Sequence, residues 1–160
     1  LDINFWANLA KQLKAKNVND IIHCGNISLK DIGREELNEF NVHYFLRTDQ
    51  KNPSNVPANW KLISCEYPIV GINEYKFCIK LDLGVNFSNL SEDHLRRLSL
   101  RLKKKYPETS FILFGSTNYA FLEESEQVRI INPGDIVRNR NYAVVTLPTT
   151  EIFFGGISTF

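Results

Sequence analysis

The sequence predicts an α/β domain in which strand–helix alternation gives way to a β-rich second half, the pattern of a two-layer or sandwiched sheet flanked by helices. Three observations carry this. Residues 3–47 alternate helix-like and strand-like apolar patterns at the spacing of right-handed βαβ crossovers. Phe111-Ile112-Leu113-Phe114 is an unbroken apolar run closed by Gly115, as in a central strand buried on both faces. From residue 120 onward short strand patterns alternate with turns, among them Asn132-Pro133-Gly134-Asp135.

Taken in order, residues 3–16 place Phe5, Trp6, Leu9 and Leu13 on one helical stripe, with Lys11, Gln12, Lys14 and Lys16 mostly elsewhere. Asn17 is the expected stop. Asp20–Cys24 is a short buried strand running to Gly25. Ser28, with Asp31 three residues on, has the form of a capping box and predicts a second helix to about Phe40. Residues 42–47 alternate as a strand. Residues 48–59, rich in Asn, Pro and Ser, are a loop. Strands are expected over 60–65 and 75–83. Ser91 caps a third helix, with Glu92 and Asp93 in its first turn and Leu95, Leu98 and Leu102 as its buried stripe, ending at Pro107. Four further strands are expected at 120–123, 127–131, 142–147 and 151–154.

The chain of 160 residues is long enough for one domain with its own core, assigned here to 1–160. A formal net charge of +1 gives no global basic excess of the kind that marks nucleic-acid binders. Cys24, Cys65 and Cys78 are odd in number and not spaced as a metal knuckle. They read as buried free thiols, which points to a reducing cytoplasm. No apolar run approaches the roughly 18 residues of a membrane span.

Three segments, read together, resemble the calcineurin-like metallophosphoesterase superfamily, in particular its small bacterial and archaeal phosphodiesterases and the retromer scaffold subunit of the same fold. Ile21-Ile22-His23-Cys24-Gly25-Asn26-Ile27 is similar to the family's strand ending in Gly-Asp. Phe111-Ile112-Leu113-Phe114-Gly115-Ser116-Thr117-Asn118 is similar to the strand ending in Gly-His-Thr-His. Ile130-Ile131-Asn132-Pro133-Gly134-Asp135 is similar to the Ile-Asn-Pro-Gly-Ser turn. Between them, Phe45–Gln50 falls at the family's Gly-Asn position, and Lys80-Leu81-Asp82-Leu83-Gly84 at its strand ending in His-Gly. The resemblance implies a metallophosphoesterase-like β-sandwich flanked by helices. It places the first strand, which carries Asp-x-His, just before Leu1, so that the sandwich in this chain is lacking or truncated there.

The resemblance also implies where metal ligands belong, and the residues found there differ. Two divalent cations on Asp, His and Asn side chains polarise a phosphate ester and generate hydroxide. Here the bridging Asp position is Asn26. The Asn position is Thr48, with Arg47 beside it, and the lone His position is Leu83. The paired His positions are Ser116 and Asn118. None offers the family's donor, and a permanent cation at Arg47 opposes a metal. The expectation is a pseudoenzyme with no catalytic residues and no metal, its vestigial pocket lined by Asn26, Thr48, Asp49, Asp82, Ser116 and Asn118. The alternative is a phosphodiesterase taking Mn or Zn at a rewired site, or at one completed upstream of Leu1. Asp49, Asp82 and Asp135 are the carboxylates available for such rewiring. His23, His43 and His94 fall at no ligand position and read as structural or solvated.

Arg96, Arg97, Arg101, Lys103, Lys104 and Lys105 are the one concentration of charge. They read as a solvated helix face or as a docking patch, for another protein before nucleic acid or anionic lipid. Trp60, Tyr75, Phe77 and Tyr106 are the aromatics available to interleave with it. The apolar tail 151–160 either closes a sheet edge or meets a partner.

Overall fold

The structure, a computed structural model, describes residues 3–26, 28–46, 49–80, 92–115, 120–124 and 128–157. Helix α1 (Ile3–Ala15) leads into strands β1 (Asp20–Asn26), β2 (Asn41–Phe45) and β3 (Trp60–Leu62). Strands β4 (Ile69–Ile72) and β5 (Tyr75–Lys80) precede helix α2 (Glu92–Lys105). Then come β6 (Phe111–Phe114), β7 (Phe121–Glu124), β8 (Arg129–Asn132), β9 (Asn141–Thr146) and β10 (Glu151–Gly156).

Among the described residues the strands form three sheets. β1, β2 and β3 form a parallel sheet in that order. A five-stranded sheet runs β4-β5-β6-β8-β7, parallel across β5, β6 and β8 and antiparallel at both edges. β9 and β10 pair antiparallel. The alternation of side chains along each strand sorts the core into layers. Val42 and Tyr44 of β2 face α1, meeting Phe5, Trp6, Leu9 and Leu13. Phe77 and Ile79 of β5 and Phe111 and Leu113 of β6 turn inward to meet Cys24, Phe45 and Ile63. Cys78, Ile112, Phe114 and Ile130 turn outward beneath Leu102 and Tyr106 of α2. The molecule is therefore a sandwich of sheets with α1 outside one layer and α2 outside the other. β9 contributes to two of these clusters, with Tyr142 and Val144 toward α1 and Ala143 and Val145 toward the interior.

Local chemistry explains the element ends. Asn17 takes φ 55°, and the amides of Asn17 and Val18 bond back to the carbonyls of Lys14 and Leu13 at 2.9 and 3.1 Å, a left-handed stop for α1. Asn132 is fully buried, and its Oδ1 accepts from the Gly134 amide at 2.9 Å. That bond holds Gly134 at φ 90°, which a side chain would resist.

Four expectations are corrected. The helix expected over 28–40 is two isolated 3-10 turns, Leu29–Asp31 and Glu35–Leu37. Gly33 at φ 72° breaks the run between them, and the Ser28–Asp31 pair closes a single turn through the Asp31 amide and the Ser28 carbonyl. Strand β4 was not expected; Asn73 at φ 53° turns the chain directly from Ile72 into Tyr75, making 69–80 a hairpin. β3 ends at Leu62 rather than 65, so Cys65 stands exposed in a bend, while Cys24 and Cys78 are buried. Three of the four aromatics do not interleave with α2: Trp60 and Phe77 belong to the core and Tyr75 donates to the Pro148 carbonyl, whereas Tyr106 is buried beneath the helix end with Lys105 over its ring. Ser91, residues 81–83 at the end of the strand expected over 75–83, and the side chains of His94, Leu95 and Leu98 lie outside the described residues.

Candidate functional site

The candidate site is built from backbone before side chains. In both sheets the parallel strands run the same way, so their C-terminal ends gather at one rim. The register sets Asn26 of β1 beside Phe45 of β2, and Lys80 of β5 beside Phe114 of β6. Asn132 follows the Leu113–Ile131 rung at the end of β8. The two sheets meet at this rim. A Cβ added to Gly115 would lie 2.4 Å from the Cys24 carbonyl oxygen and 2.7 Å from its carbon. No side chain fits there, so the glycine after β6 lets the β1 and β6 ends approach backbone to backbone. This close approach brings the ends of β1 and β6, at Cys24 and Gly115, to one place.

The described groups at the rim are poor in charge suited to a cation. Cys24 faces the interior and burial pushes its thiol up to about 12, so it stays protonated at neutral pH. The Nδ1 of His23 lies 2.8 Å from the Gly25 carbonyl, and burial lowers its pKa despite that bond, leaving it neutral. Half-buried Lys80, the last described residue of β5, pairs with Phe114 and adds a cation to the rim; the expected strand ran on to residue 83, so the sequence did not place Lys80 at a strand end. Asp49 is exposed on the loop after β2. Asp135 is committed elsewhere: its Oδ1 accepts from the Val137 and Arg138 amides at 2.7 and 3.0 Å, and it pairs with Arg138, so it holds a turn. The side chain of Asn26 and the whole of Thr48, Asp82, Leu83, Ser116 and Asn118 lie outside the described residues.

His43 is buried away from this rim. Its Nε2 stands 3.5 Å from the Asp20 Oδ1, longer than a good hydrogen bond, and burial lowers its pKa although Asp20 opposes the shift.

No protein-family model and no curated protein matches the chain. Solved structures do. An archaeal phosphodiesterase superposes with a TM-score of 0.64 at 18% identity, covering 95% of this chain and 91% of its own. A Thermus thermophilus protein gives 0.62 at 10%, covering 98% and 94%. Vps29 from Entamoeba histolytica, as a single mutant, gives 0.52 at 14%, covering 79% of this chain and 63% of its own. The chain has the calcineurin-like metallophosphoesterase fold. In metallophosphoesterases the strand-end rim is where a two-metal centre is expected, and the side chains assigned by resemblance to its ligand positions lie outside the described residues. Among the described residues no group of three or more His, Cys, Asp or Glu side chains comes together.

Proposed function

We propose that this chain is a catalytically inactive metallophosphoesterase-like domain that acts by binding another macromolecule, most simply a protein in the cytoplasm. The observation that carries the reading is the strand-end donor set. By the resemblance, Asn26, Thr48, Leu83, Ser116 and Asn118 fall where the family has carboxylate, imidazole and amide ligands, in a chain that has the family's fold. The resemblance to a scaffold subunit of the same fold supports use of this architecture as a docking body. No helix among the described residues is long and apolar enough to cross a membrane.

The likeness to an archaeal phosphodiesterase over 95% of the chain favours one other reading, a phosphodiesterase taking Mn or Zn at a rewired or upstream-completed site. One experiment separates the two. Calorimetric titration with manganese and zinc is paired with hydrolysis of a chromogenic phosphodiester, with and without EDTA. The expected result is no stoichiometric binding and no EDTA-sensitive turnover. Tight binding with turnover that EDTA abolishes overturns the inactive reading.

A further inference from the structure

The outward face of α2 is a short cationic stripe with an apolar residue at its centre. α2 seats Leu102 against the outer face of the five-stranded sheet, where Tyr106, just past the helix, joins the same cluster, so the opposite side of the helix faces solvent. Arg97, Arg101 and Lys104 are exposed on that side, at successive intervals of four and three residues. Such positions share one face of a helix and span about 10 Å along its axis. Leu100 lies among them, with 49% of its surface exposed.

The structure divides the six basic residues of this segment by what they do. Lys103 donates to the Thr109 carbonyl and so ties down the turn beyond the helix. Lys105 stands over the Tyr106 ring at 5.1 Å. The side chain of Arg96 lies outside the described residues. Arg97, Arg101 and Lys104 enter none of the ion pairs found among the described residues. Like charges one turn apart repel, so this stripe gains from carboxylates brought to it from outside.

We infer that this face of α2 docks an acidic amphipathic polypeptide segment, one that sets two or three carboxylates against Arg97, Arg101 and Lys104 and an apolar side chain against Leu100. The inference rests on the binding role proposed above and names the chemistry of the partner. Two features favour a polypeptide over a polyanion. The net charge of +1 gives little long-range attraction for a nucleic acid or a lipid surface. The exposed leucine within the charges also suits a partner that alternates acidic and apolar groups. Asp93 lies one turn before the stripe and Glu108 beyond its other end, so acidic residues bound its length.

The test uses a fluorescein-labelled helical peptide with glutamates at a first position, four on and seven on, and leucines between them. Its binding to the whole chain is followed by anisotropy. Saturable binding is expected, weakening as salt rises from about 50 to about 500 mM. The triple reversal R97E/R101E/K104E, at exposed positions, is expected to weaken it about tenfold or more. Leu100→Ala is expected to weaken it several-fold at unchanged salt dependence. Circular dichroism of each variant confirms that the fold is retained. No binding by the wild type, or binding indifferent to the reversal, overturns the inference. So does tighter binding of single-stranded RNA or of phosphatidylserine vesicles than of the peptide. A chain that ignores metal and phosphodiester but also ignores the peptide overturns this inference and leaves the inactive reading in place.

Discussion

Gly115 is the residue on which the rim most depends. Any side chain there meets the Cys24 backbone, which has no flexible end to give way. Gly115→Ala is expected to destabilise the chain by about 1–3 kcal/mol, since overpacking forces backbone shifts; urea denaturation midpoints measure it. The thiols sort as sharply. Cys65 is exposed, whereas burial pushes Cys24 up to about 12 and Cys78 up to about 11. In the native protein a disulfide reagent at mildly alkaline pH is expected to modify Cys65 quickly, and Cys24 and Cys78 only on unfolding. The histidines supply a pH dependence. His23 and His43 both have folded pKa values below the ordinary 6.5, chiefly through burial. The unfolded chain therefore binds more protons as pH falls through that value. The stability these neutral rings contribute is present above about pH 6.5 and is lost as pH drops toward their folded pKa values. Thermal melts from pH 7.5 to 5 are expected to show a falling Tm, flatter in His43→Gln.

At the scale of elements, the long-range tie between α1 and β9 is a specific one. The hydroxyl of Tyr142 donates to the Gln12 Oε1 at 2.9 Å across the sequence, and its ring packs among the α1 residues. Tyr142→Phe keeps the ring and is expected to cost about 0.5–1.5 kcal/mol, read from the same denaturation midpoints. How far each element was legible follows from what sets its form. α1, β1, β6 and β8 declared themselves because their own side chains carry the burial pattern. The stretch 28–40 did not, because a capping pair starts a helix only if the next turn can continue, and Gly33 at positive φ ends it. β4 was hidden because Pro68 and Gly71 suggest loop, while its strand form comes from pairing with β5 across the Asn73 turn. At the rim, the segments and their order were legible from resemblance. The backbone contact between Gly115 and Cys24 was not, since it depends on how two sheets meet rather than on either strand alone.

At the scale of the molecule, parallel strands in two layers bring their ends to a single rim, which is why segments scattered from residue 24 to residue 135 bear on one question. If that rim holds no metal, folding owes nothing to one. EDTA is then expected to leave the Tm of the whole chain unchanged, whereas a resident cation would couple its own binding energy to stability.

The layers are not joined equally. β6 lies between hydrogen-bonded neighbours on both sides and is buried along its whole length. The β9–β10 pair, among the described residues, ladders only with itself and is held to the rest by side chains such as Tyr142 and Val145. Side-chain contacts can be released without breaking a ladder. The hairpin is thus the natural first unit to detach, opening as a body while the five-stranded sheet stays closed. In deuterium the amides of β9 and β10 would fill together and early, and those of β6 last, giving the protein a fixed order in which it comes apart.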